Sequence, residues 1–151
     1  MITIRGCLAV AFFCCAAPLF AQTCAAPTEI VTTGAFNSDT CSSTNQLPYL
    51  ANGAIAAFGN QDVYHLRVAD GTGVTLNAQP QPAVDLALFV CRNQCSTYAT
   101  CVATADAGGA GFAEAATLPA GPGDYYVIVS SGQVQCGSYS LSVAAPLGKL
   151  K

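Results

Sequence analysis

Short runs of alternating apolar and polar residues, each closed by Gly, Pro, Asn or Asp, constrain this chain more than any other feature. A period of two belongs to a half-buried strand; the apolar residues of a helix recur every three or four positions. Tyr64, Leu66 and Val68 share one face of such a run, with His65 and Arg67 on the opposite, solvated face. The turn Asp70-Gly71-Thr72-Gly73 follows, then Val74-Thr75-Leu76-Asn77-Ala78. Asp-Gly between two such runs predicts a hairpin. After the loop Gln79-Pro80-Gln81-Pro82, Leu86, Leu88 and Val90 fall on one side, and Asp85, Ala87 and Phe89 on the other. Residues 92–111 are small, polar and cysteine-bearing and read as the longest irregular stretch. Residues 112–118 are a weaker strand whose alanines also suit a short helix. Tyr125, Val127 and Val129 mark a further strand, and Tyr139, Leu141 and Val143 the last. Strands at this spacing, with no long helix, predict an all-β sandwich or barrel.

Residues 1–21 have the three parts of a secretory signal peptide: Arg5 in a basic start, an uncharged apolar run, and Ala21 at the cleavage site before Gln22. The apolar run is shorter than the roughly 20 residues that span a bilayer. Export to the periplasm or the cell exterior is therefore expected, with residues 22–145 as one domain and residues 146–151 as a frayed tail. Beyond residue 21, eight acids face four bases, a net charge of −4. Nucleic acid needs clustered Lys and Arg, and anionic membranes need a basic surface, so neither is an expected partner.

The same segment carries Cys24, Cys41, Cys91, Cys95, Cys101 and Cys136. An even set of cysteines in an exported chain reads as a disulfide framework. Proximity in the chain favours Cys24 with Cys41, leaving two bridges to tie the Cys91, Cys95 and Cys101 segment together and to Cys136. A zinc site is the competing reading, but tight Cys-x-x-Cys pairs are absent and His65 is the only histidine.

His65 is also the only group suited to acid–base work near neutral pH, and no Gly-x-Ser-x-Gly elbow accompanies it. Asp62, Asp85 and Asp124 open strands, where an acid usually caps a turn or solvates an edge. No catalytic residue is assigned, and no enzyme activity is expected. Tyr49, Tyr98 and Tyr126 are the candidates for an aromatic binding face, although the chain has no Trp and half-buried sheet tyrosines are the plainer reading.

Four pieces in order resemble the bacterial pre-peptidase C-terminal domain. They are Asp62-Val63-Tyr64-His65-Leu66-Arg67-Val68, Asp85-Leu86-Ala87-Leu88-Phe89, Gly123-Asp124-Tyr125-Tyr126-Val127-Ile128-Val129, and Gly137-Ser138-Tyr139-Ser140-Leu141-Ser142-Val143. The resemblance implies a jelly-roll-like antiparallel β-sandwich, here stapled by disulfides, of a kind appended to many secreted bacterial peptidases. It implies a monomeric, non-catalytic module that binds an extracellular protein or glycan polymer. The alternative is an inhibitor or partner of a secreted peptidase acting in trans, and a small hydrolase ranks last. No cofactor is required on this reading, but the resemblance points to calcium held by oxygen ligands at Glu29, Asn37 and Asp39.

Overall fold

A strand with one apolar face hides it by packing on a second sheet, and this chain does so with two. The computed structural model describes residues 22–51, 53–132 and 135–151; the expected leader lies outside them. The strands are β1 (Thr28–Ile30), β2 (Gly34–Asp39), β3 (Tyr49–Leu50), β4 (Ile55–Ala56), β5 (Gln61–Val68), β6 (Thr75–Pro80), β7 (Leu86–Arg92), β8 (Thr100–Ala105), β9 (Glu114–Thr117), β10 (Gly123–Ser131) and β11 (Ser138–Ala144). A five-stranded sheet runs β1-β5-β10-β7-β8, and a four-stranded sheet runs β2-β11-β6-β9. All pairings within them are antiparallel except β1 with β5. The fold is a disulfide-stapled β-sandwich, one of the two architectures that the alternation predicts and the one that the resemblance implies.

The core between the sheets takes Tyr64, Leu66 and Val68 from β5, Leu86, Leu88 and Val90 from β7, and Tyr125, Val127 and Val129 from β10. Leu76 and Ala78 of β6, with Tyr139, Leu141 and Val143 of β11, close it from the other side. The expected hairpin across Asp70-Gly71-Thr72-Gly73 does not form. Strands β5 and β6 lie in different sheets, and the turn carries the chain across the sandwich. Both strands point their apolar residues at one core, and facing each other across it buries both sets. Gly71 is needed there, because a Cβ on it would stand 2.0 Å from the Pro119 carbonyl oxygen.

A second cluster covers the outer face of the five-stranded sheet. Val63, Phe89 and Ile128 point outward from it and pack under Leu47, Leu50, Ala57 and Ala99. The β3–β4 hairpin and the loop before β8 form this cover. The face holding His65 is therefore not solvated as the alternation implied; His65 is only 8% exposed. Residues 92–111 are also less irregular than expected, because β8 lies among them.

The cysteines pair as Cys24–Cys95, Cys41–Cys136 and Cys91–Cys101. This corrects the expected Cys24–Cys41 bridge. Cys24 precedes β1 and Cys41 follows β2, and those strands belong to opposite sheets. The end of β2 instead lies beside the start of β11, where Asp39 pairs with Ser138, so Cys41 meets Cys136. Cys91 and Cys101 are register partners on β7 and β8.

Residues 146–151, expected to fray, dock on the end of β5. Leu150 bridges Val68 and packs against the core, and the Lys151 amide donates to the Arg67 carbonyl at 3.0 Å. Lys149 pairs with Asp70, whose other carboxylate oxygen accepts from Thr72 and from the Gly121 amide. The Lys149 ammonium, then the Thr72 and Gly121 amides, hold the Asp70 carboxyl well below its ordinary range. A depressed folded-state pKa adds stability that is present above the unfolded value, about 3.9, and is lost as pH falls through the folded one. Amide exchange at Ala69 and Lys151 is expected to accelerate relative to core amides as pH drops below about 4. Asp70→Asn should abolish that dependence; an unchanged profile in the variant would rule out Asp70 as the group responsible.

Candidate binding surface

Three clusters hold the chain's polar and aromatic residues of interest. The first surrounds His65. Register places Glu29 of β1 and Tyr126 of β10 on either side of it. His65 Nδ1 lies 2.8 and 2.9 Å from the two Glu29 carboxylate oxygens, and Nε2 lies 3.4 Å from Asp124 Oδ1. Arg67 Nε donates to the same Asp124 oxygen at 2.7 Å, which chiefly keeps that carboxyl below its usual range. The Tyr126 ring stacks on the imidazole with centroids 4.9 Å apart. Both ring nitrogens face carboxylates, so neither is aimed at a nucleophile. The cluster fastens β1 to the sheet rather than assembling acid–base chemistry.

The second cluster explains the Asp-x-Tyr spacing. Asp62 and Tyr64 are two residues apart and so share the inner face of β5. Asp62, 1% exposed, accepts from Tyr139 Oη at 2.7 Å, from Ser38 Oγ at 2.8 Å and from Ser43 Oγ. Tyr64 Oη lies 2.7 Å from Tyr139 Oη. Burial pushes both phenols above their ordinary values, so they remain neutral donors. The network ties β5 to β2 and β11 of the opposite sheet. It is a structural lock between the two sheets.

The expected calcium ligands do not assemble. Both Glu29 oxygens face His65 on the five-stranded sheet, while Asn37 and Asp39 stand on β2 of the other. The Asp39 oxygens accept from the Cys41 amide at 2.8 Å and the Ser138 hydroxyl at 2.7 Å. Among the described residues no three acidic, histidine or cysteine side chains stand together as a metal site. These residues do not fit a shared calcium ion.

The third cluster is exposed. Tyr49 on β3 and Tyr98 in the loop before β8 line a depression of about 290 Å3 with Gly53 and Thr97. They are 47% and 74% exposed. Phe58, 44% exposed, meets Tyr49 edge to face with centroids 5.7 Å apart. Tyr126 does not join them; it is held against His65. Sequence reasoning missed Phe58. Its apolar ring just before Gly59 could have been noticed, but its neighbours Tyr49 and Tyr98 are distant in the chain. The platform beneath is stiff: Leu50 and Ala99 are fully buried, and Cys24–Cys95 and Cys91–Cys101 anchor the loop at both ends. Rings held this way lose little side-chain freedom on binding.

No protein-family model matches the sequence, and no curated protein does. Among solved structures, the chain is similar to the pre-peptidase C-terminal domain of a collagenase from Bacillus anthracis. The identity is 18%, the TM-score is 0.55, and the match covers 78% of this chain and 93% of that one. The likeness is one of fold.

Proposed function

We propose that this chain, which has the fold of a pre-peptidase C-terminal domain, is an exported, non-catalytic accessory module that holds an extracellular polymer through Tyr49, Phe58 and Tyr98. The observation that carries this reading is the exposure of three aromatic rings, Tyr98 on a disulfide-anchored loop and Tyr49 in edge-to-face contact with Phe58. Exposed aromatic residues on rigid supports are the usual energetic centres of protein contacts. A fibrous protein is the leading ligand, since the similar domain belongs to a collagenase and tyrosine presents an apolar face with a polar tip. A second reading, inhibition of a secreted peptidase in trans, draws on the same loop. Tyr98 projects from a segment closed by Cys91–Cys101, which suits insertion into a cleft.

The test is retention of the oxidised protein on insoluble collagen and elastin. Wild type is expected to be retained, and Tyr98→Ala to weaken retention by about tenfold or more. Equal retention of the variant would discard the aromatic contact. Absence of retention, together with inhibition of a secreted peptidase that Tyr98→Ala relieves, would put the inhibitor reading in its place.

A further inference from the structure

A cavity of about 340 Å3 opens beside the aromatic cluster, between the segment that follows β4 and the adjoining ends of β7 and β10. Phe58 belongs to both: it lines the cavity and meets Tyr49 edge to face. Phe89, Leu86 and three alanines complete the apolar wall. The polar lining is Asp85, Asp106, Ser130 and Ser131, with Gly132 at one end. Strand register brings the two acids together. Asp85 immediately precedes β7 and Asp106 immediately follows β8, and these strands are antiparallel with Leu88 opposite Ala105.

The polar groups are poised to accept. Asp85 Oδ1 is shielded from solvent, yet it accepts no hydrogen bond among the described residues. An unsatisfied buried acceptor is destabilising until a donor reaches it. Ser130 and Ser131 are only 1% and 4% exposed, and their hydroxyls donate at 3.3 Å to the Ser131 and Asn60 carbonyls. Their donors are thus spent, and their lone pairs remain to accept. Near Asp106, the buried Glu114 accepts from the Ala107 and Gly108 amides. Burial first, then the charges of Asp85 and Glu114, push the Asp106 carboxyl above its ordinary value. No base of the described residues lines the cavity. Arg67 donates to Asp124, Arg92 to the Pro122 carbonyl, and Lys149 pairs with Asp70.

We propose that this cavity receives a basic side chain, arginine or lysine, from the protein that the aromatic cluster holds. That the partner is a protein comes from the reading above; that it is basic comes from the cavity alone. A guanidinium or ammonium is purely a donor and meets a lining of acceptors. Its aliphatic stem lies along the apolar wall, and the Phe58 ring adds attraction for the charge. Among the described residues no third acid, histidine or cysteine joins Asp85 and Asp106 as a metal site. The planar arginine fork, with five donors, is suited to bridging two such carboxylates.

The Nα-acetyl methylamides of arginine, lysine and citrulline, the last an uncharged isostere of arginine, test this by titration into the isotope-labelled, oxidised protein. The arginine or lysine probe should bind with a Kd of roughly 1–10 mM, read from amide shifts at Ala87, Asp106 and Ser131. Affinity should fall between about 50 and about 500 mM salt, and citrulline should bind at least about tenfold more weakly. Asp85→Asn should weaken the basic probe about tenfold, and Asp106→Asn, at an exposed position, about fivefold. The second variant keeps the test open should the first not fold, which the thermal midpoint shows. Tyr98→Ala should leave probe binding intact. The proposal is overturned if neither basic probe binds, if citrulline binds as tightly, or if the acid variants change nothing. Retention on collagen or elastin without probe binding removes the cavity's role and leaves the aromatic reading standing. Probe binding that the acid variants weaken, without retention on either polymer, upholds the basic-side-chain site and removes the polymer reading.

Discussion

Replacing Cys41 and Cys136 together by serine is expected to remove about 4–5 kcal/mol of stability. The bridge closes a loop with a sequence separation of 95, the longest of the three. The loss lies mainly in the unfolded chain, which gains the freedom the bridge had denied it. The folded geometry has local support that survives the substitution. The Thr40 amide donates to the Gly137 carbonyl at 3.1 Å, and the Gly137 amide donates to Thr40 Oγ1 at 3.0 Å. A total stability of about 5–15 kcal/mol makes this loss severe. The thermal midpoint should fall by about 15–20 °C. Cys91 with Cys101, separated by only 10 residues, should cost about 2.7 kcal/mol. Urea unfolding of both double variants, beside a non-reducing peptide map, decides the matter. A peptide joining Cys24 to Cys41, or a loss below about 1 kcal/mol for the long bridge, would contradict the assignment.

Asp62→Ala should cost about 3–4 kcal/mol without touching any exposed surface. The carboxylate is the shared acceptor for Ser38, Ser43 and Tyr139, and its removal strands buried hydroxyls that have little else to donate to. Each stranded group carries a penalty of about 1–3 kcal/mol, reduced where the hydroxyl turns to another partner. Tyr139→Phe should cost less, about 1–1.5 kcal/mol, since it deletes one donor and leaves the acid its two serines. The two changes act on one network, so the double variant should be less unstable than the sum of the singles. Strict additivity in chemical unfolding would mean that the acid and the phenol do not communicate.

The strand faces were legible because period two is a local property. Tyr64, Leu66 and Val68 in β5, and Tyr139, Leu141 and Val143 in β11, face the core as their alternation implies. Phe89 and Ile128, apolar on the opposite faces of their strands, pack under the cover of the five-stranded sheet, which the reading of the His65 face as solvated did not anticipate. The aromatic site was half legible. Tyr49 and Tyr98 stand together as exposed candidates, while Tyr126 is committed to His65 and Phe58 takes the third place.

By itself the sequence determined which residues turn inward along each strand, and that the cysteines act as pairs. The partners were decided only by the tertiary structure. An Asp-Gly turn specifies a reversal but not whether the next strand pairs in the same sheet. Here the shared core between β5 and β6 drew them into opposite sheets. The placing of β1 and β2 in those same two sheets separated Cys24 from Cys41 and split Glu29 from Asn37 and Asp39, and the packing of the sheets gathered Asp62, Ser38, Ser43 and Tyr139. Such contacts join residues far apart in sequence. They follow from which apolar faces meet, a property of the whole chain that no local window contains.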